Sequence, residues 1–271
     1  MCIVYLHHWL DLTITLPEPE SNRFPEIIRV DYLAKNRELH QLIKGNSPLD
    51  PGTYSDPTQV INLPFPFLGK LPRDRFKLSN NMFAYMGREV FRELWAGISK
   101  MENDGWDKLF LYGTAGYGKS HMLAALACLL ISQGKGVVYL PDCRARLRCF
   151  VRYIKQALLL TFSDSPKRQK QVEKLETEKD IEAFLYDHAR LERLYFIVDQ
   201  INALESTAIA NQDIASNAMK TDAAKWLGEF SFAHRLIESA SPSYRTFQYM
   251  KQKQTNYIKI ATQGGLSQAS S

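Results

Sequence analysis

The run Gly113, Thr114, Ala115, Gly116, Tyr117, Gly118, Lys119, Ser120 sets three glycines, a lysine and a hydroxyl at the spacing G-x-x-x-x-G-K-S. That pattern predicts a phosphate cradle. The glycines let the backbone wrap closely round a polyphosphate with its amides turned inward, and a helix starting at Lys119 adds the partial positive charge of its N-terminus. In such a loop Lys119 reaches the β and γ phosphates, Ser120 offers a hydroxyl to magnesium, and His121 follows in the first helical turn. Residues 113–121 are thus the expected contacts of a purine nucleoside triphosphate, taken as ATP with Mg2+. The bland alternative is a glycine-rich turn that binds nothing.

A second group of candidates closes the segment LYFIVDQ, residues 194–200. Four or five apolar residues ending in an acid would deliver one carboxylate to the C-terminal edge of a sheet, beside the phosphates, so Asp199 is the expected magnesium partner. Gln200 stands where many ATPases place a glutamate; an amide can orient a water but cannot accept its proton. Glu205, six residues beyond Asp199, is either a substitute base or a solvated surface acid. In RLIESASPSYR the cluster Ser239, Ser241, Ser243 ends a further apolar run, and Ser241 is the candidate sensor of the γ-phosphate. Arg245 just beyond it is either a charge stabiliser or a surface arginine.

These residues need a scaffold, and the surrounding pattern supplies one. Short apolar runs at 108–113, 136–140, 194–199, 235–241 and 257–262 alternate with helical stretches from Lys119, over 146–161 and around 223–232. Continuous apolar strands alternating with helices predict an α/β fold with a mainly parallel sheet covered by helices on both faces. The polar stretch 163–180 reads as an exposed loop or helix without chemistry. Before the first of these strands, Met82, Phe83, Met86, Val90, Phe91, Leu94, Trp95 and Ile98 fit one amphipathic helix of four to six turns that follows Ser79 and Asn80. Nine of the twelve prolines precede residue 73, which predicts short extended or irregular pieces there. The expected organisation is a Pro-rich N-terminal arm (1–72), a lead-in helix (73–105), a nucleotide-binding domain (106–263) and a disordered tail (264–271).

With 271 residues, 45% hydrophobic and 23% charged, the chain has the composition of an ordinary globular protein. A net charge of +5 and the basic runs Arg144, Arg146, Arg148, Arg152, then Lys167, Arg168, Lys170, then Lys251, Lys253 leave nucleic acid open as a partner; solvated faces are the plainer reading. Four cysteines without a C-x-x-C pair read as reduced structural thiols. The apolar start MCIVYLHHWLDLTITL lacks a basic leader and a small-residue cleavage site, and no run reaches the ~20 apolar residues that span a bilayer, so an intracellular protein with no membrane segment is expected.

GTAGYGKSHMLAALACLL, GKGVVYLPDCRA, LYFIVDQINAL and SASPSYRTFQYMKQKQTN together resemble the nucleotide-binding domain of Crinkler-type effector proteins of fungi and oomycetes, a group related to retrotransposon hot spot proteins. The similarity runs from about Leu71 to Gly265. It implies a P-loop NTPase of the additional-strand, AAA/STAND-like type, with the strand of Ser239 inserted between the P-loop strand and the Asp199 strand. It also implies the phosphate and magnesium roles of Lys119, Ser120 and Asp199, and a setting of secretion and action in a host nucleus. VDYLAK (30–35) only faintly matches the LFLAK-type header of that family, and GGLSQASS replaces its continuation into a lid and further domains, so a shortened paralogue or truncated product is expected. Two functions follow: an ATP-hydrolysing or ATP-switched module, or a module with weak turnover that works by binding host or self proteins or nucleic acid.

Overall fold

The computed structural model describes residues 26–146, 149–204, 217–230, 233–240 and 257–262. Helix α1 (Glu26–Asn46) and the short α2 (Pro51–Ser55) come first. Strands β1 (Val60–Pro64) and β2 (Met82–Met86) then form an antiparallel pair with Val60 opposite Met86 and Pro64 opposite Met82. After α3 (Val90–Asn103), β3 (Lys108–Gly113) leads into α4 (Lys119–Ser132), and β4 (Val137–Leu140) into α5 (Cys143–Arg146) and α6 (Phe150–Thr161). Helices α7 (Pro166–Glu173) and α8 (Glu178–Ala189) precede β5 (Tyr195–Val198). The chain continues through α9 (Asn217–Phe230), β6 (Arg235–Ala240) and β7 (Tyr257–Thr262).

Five strands, all parallel to their neighbours, form one sheet in the order β4, β5, β6, β3, β7. Every residue of β4 and β5 is buried, which requires cover on both faces of the sheet. Helix α3 packs over β3 and β7 at Gly97, where an added Cβ would stand 2.5 Å from Leu109 Cδ1. Helix α4, buried without a break from Met122 to Ile131, has no polar face because it lies between the sheet on one side and α1 with the β1–β2 pair on the other. The fold is that of an α/β P-loop NTPase with β6 inserted between the phosphate-loop strand and the Asp199 strand.

Two expectations from the N-terminal third are corrected. The stretch from residue 82 is not helical from its start. In β2, Phe83 and Tyr85 are buried while Ala84 and Met86 are exposed, a period of two imposed by pairing with β1. Asn80 and Asn81, both at positive φ, form the turn into the strand, and Gly87 lets the chain pass so close to Asp56 that a Cβ would meet its carbonyl at 2.1 Å. Only the second half, from Val90, is helix. Residues 26–46 are not irregular either: the prolines cluster around a proline-free window between Pro25 and Pro48, and α1 fills it, burying Leu39 and Ile43. Within 163–180, the polar stretch, Thr177 and Asp180 form a capping box that starts α8.

Candidate nucleotide site

The C-terminal ends of β3, β5 and β6 lie side by side, so whatever follows each strand gathers at one edge. After β3 the loop turns on Gly113, Gly116 and Gly118, at φ of 145°, 79° and 78°, a region that side-chain-bearing residues enter only with strain. Gly113 is additionally required by β7: an added Cβ would stand 2.0 Å from Thr262 Oγ1. Thr114, Ala115 and Gly116 are exposed; Tyr117, Gly118, Ser120 and His121 are partly so. Gly118 is the N-cap of α4, and no side chain caps that helix. Its first-turn amides have no side-chain cap from that position, as the start of a helix that meets an anion would.

Lys119 is 6% exposed, and its ammonium donates to the carbonyls of Gly113 and Thr114, both at 2.7 Å. Burial pulls its pKa below the ordinary lysine range, and the charge of Asp199 offsets part of that shift. A buried ammonium bonded to loop carbonyls at an uncapped helix start is a site that attracts an anion. Those residues fit a polyphosphate.

Asp199, one residue past β5, is 1% exposed. One carboxylate oxygen accepts from the Ser239 hydroxyl and the other from Arg75 Nη1 at 2.6 Å. Gln200 follows at φ 61°, with its amide donating to Ser239 Oγ at 3.4 Å. Asp199 lies near enough to Lys119 and His121 to act on the charge of both. An acid so placed, with Ser120 in the first turn of α4, also fits a hard divalent cation carried by a phosphate. Ser241, Ser243, Glu205 and Arg245 lie outside the described residues; Ser239, the described member of the serine cluster, bonds Asp199.

Two arginines at this edge escaped the sequence reading. Arg75, on the loop between β1 and β2, touches Asp199, Asp142 and Asp74 as well as the Pro141 carbonyl. Arg88 lies over the Tyr117 ring at 5.2 Å, and its guanidinium would stand 2.9 Å from a Cβ placed on Gly118. Burial first, then the charges of Arg88 and Arg75, hold His121 below the ordinary histidine pKa against the pull of Asp199. Neither arginine could be found from spacing, because each comes from a loop or strand end far upstream of the motif it joins. Of the basic runs, Arg144 is tied to Asp74 and Asp142 and Arg168 lies over the Phe184 ring, whereas Arg152, Lys167 and Lys170 are exposed.

No family model matches the chain. The chromosomal replication initiator protein DnaA of Wolinella succinogenes is 27% identical over 105 residues, which are 38% of this chain and 21% of DnaA. The match therefore spans a minor part of that relative. Among solved structures, AMPPCP-bound DnaA from Aquifex aeolicus aligns with a TM-score of 0.39 and 12% identity over 67% of this chain and 48% of its own. Drosophila ORC bound to GC-rich DNA and Cdc6 aligns with 0.38 and 10% over 98% and 36%. No helix among the described residues is long and apolar enough to cross a membrane.

Proposed function

We propose that the chain binds ATP with magnesium at residues 113–121 and Asp199, and hydrolyses it slowly or uses it as a switch. The observation that carries this reading is the buried Lys119 ammonium, held by loop carbonyls at the uncapped start of α4 and within the field of Asp199. Gly113, Gly116 and Gly118 give the loop its curvature, and the first-turn amides and Lys119 receive the phosphates. Ser120 and Asp199 would hold Mg2+, which supplies neutralisation of phosphate charge. Ser239 fixes the Asp199 carboxylate by hydrogen bond, the role of an orienting second layer. Gln200, next to Asp199, would orient water without accepting its proton, which is the reason for slow turnover. Ser241 as a γ-phosphate sensor belongs to this proposal as well.

The segments quoted above further support placing this module among Crinkler-like effector proteins, with a Pro-rich N-terminal region ahead of a nucleotide-binding domain. Calorimetric titration with ATP, GTP and ADP, each with and without Mg2+, tests the central reading. Micromolar ATP binding strengthened by Mg2+ is expected; no heat with any triphosphate would refute it.

A further inference from the structure

The loop between β1 and β2 touches both halves of the proposed site. Its turn is pinned where the amides of Arg75 and Phe76 both donate to the Pro72 carbonyl, at 3.0 and 3.1 Å. Phe76 stacks on the His121 ring of α4, with centroids 4.6 Å apart, and is itself buried against Phe65 and Phe83. Arg75 points to the other half, where Nη1 donates to Asp199 and to the Pro141 carbonyl. Its Nε and Nη2 are buried without a hydrogen bond. Acceptors stand just out of reach: Asp142 Oδ2 is 3.4 Å from Nη2 and Asp74 Oδ2 is 3.6 Å from Nε. Arg144 bonds both of these aspartates, at 2.9 and 3.0 Å.

We infer that Arg75 is a positioning residue that competes with the nucleotide's divalent cation for Asp199, so that cation loading is read out by the β1–β2 loop. The inference rests on the ATP and magnesium reading above. Both oxygens of the buried Asp199 carboxylate are engaged by protein donors, one of them a full positive charge. A cation gains the whole charge of Asp199 only as Arg75 lets go. The guanidinium has somewhere to go: a short swing makes good the unbonded Nε and Nη2 on Asp74 and Asp142, which offers the side chain a second arrangement. Phe76, the next residue, ties that swing to the first turn of the phosphate-loop helix.

The test is calorimetric titration of ATP into the wild type, Arg75→Ala and Arg75→Gln, in Mg2+ and in EDTA. Removing a charged hydrogen bond from Asp199 is expected to raise the gain in affinity conferred by Mg2+ about tenfold over wild type, with Mg2+-free affinity changed by less than about threefold. A gain equal to that of the wild type makes Arg75 a purely structural group and overturns the inference. Equal weakening in both conditions makes it a phosphate contact and overturns it too. Wild type that binds no triphosphate in either condition defeats the ATP reading itself, and the competition falls with it. Should the variants not fold, hydrogen exchange at the wild-type Arg75 and Phe76 amides gives the same answer: it changes with ATP plus Mg2+ but not with ATP alone, and identical exchange in the two states refutes the inference.

Discussion

At the N-terminal ends of β5 and β6 the Leu194 amide donates to His234 Nδ1 at 3.1 Å, which makes Nε2 the protonated nitrogen, donating to the Leu185 carbonyl at 3.1 Å. Beside it Arg193 pairs with Asp107 at 2.5 Å, and Glu102 accepts from both Tyr195 and Lys135. At the C-terminal ends of the same strands the arrangement is different. Lys119 has carbonyls for partners, Arg75 has two buried nitrogens without a hydrogen bond, α4 is uncapped, and Gln200 sits at positive φ. Polar groups that close on one another contribute stability, and those left half-satisfied or strained cost stability unless a ligand completes them. On the reading proposed above, one sheet thus carries a structural end and a ligand-seeking end.

The largest effect is expected at the ligand-seeking end. Lys119→Ala should weaken ATP by ~1,000-fold or more, since it removes the buried ammonium to which the proposal assigns the phosphates. The melting temperature should stay within a few degrees of wild type, because no packed apolar group is lost. Titration calorimetry and a thermal melt together check this; undiminished affinity in a folded variant would sever the loop from phosphate binding.

At the structural end the sensitive variable is pH. Burial first, with the charges of His188 and Arg193, holds His234 down to about 4, against the pull of the Leu185 carbonyl. A histidine with a folded pKa below its unfolded value near 6.5 favours the folded state at neutral pH, and that advantage is lost as pH falls from about 6.5 to about 4. The full loss from this site amounts to about 3 kcal/mol, from ~1.4 kcal/mol per pKa unit. His40, His121 and His188 are lowered too and act in the same direction. Urea unfolding at pH 7 and 4.5 should show His234→Gln flattening the decline while leaving ATP affinity at pH 7 unchanged. An unaltered slope would mean that His234 does not titrate in this window.

Smaller than both is the effect of Asp199→Asn, expected to weaken Mg2+-dependent ATP binding about tenfold and Mg2+-free binding far less, since a neutral amide lacks the charge that holds the cation. Equal loss in both conditions would move Asp199 to the structural side of the comparison, as an acceptor for Arg75 and Ser239 alone.

The sequence showed the two ends unequally. The strands at 108–113 and 257–262 were legible residue for residue: KLFLYG carries the apolar run 109–112 of a central strand, and YIKIAT, at the sheet edge, is apolar but for the exposed Lys259 and the final Thr262. The glycine loop was legible because Gly113, Gly116, Gly118, Lys119 and Ser120 fall at a diagnostic spacing within eight consecutive residues. The bond from Ser239 to Asp199 and the roles of Arg75 and Arg88 were not, since those contacts join residues 29 to 124 positions apart and depend on how the elements pack. The split of residues 82–98 into strand and helix was hidden as well: Met82, Phe83, Met86 and Val90 fit a helical stripe, and only the pairing with β1 selects the period of two. His234 gave no signal at all, its neighbours being set by how β5 and β6 lie together.

The smallest effect separates binding from turnover within the ligand-seeking end. Gln200 follows Asp199 directly, and its backbone, at φ 61°, is held by the bond to Ser239. A glutamate has nearly the same shape and the same cost in that conformation, so Gln200→Glu should leave fold and affinity close to wild type. What it adds is a group able to accept a proton from water. Where a general base operates it contributes ~100-fold or more, but a carboxylate introduced into a site not built round it, next to the charge of Asp199, will realise only part of that. An increase in steady-state phosphate release of about three- to tenfold at saturating ATP and Mg2+ is expected. The pH profile gives a second readout, because a new base makes the rate fall at low pH where the wild-type rate does not. If wild type already turns over briskly and the glutamate leaves the rate flat or lowers it, then the amide orients water well enough or another residue provides the base, and the low turnover proposed for this site is wrong.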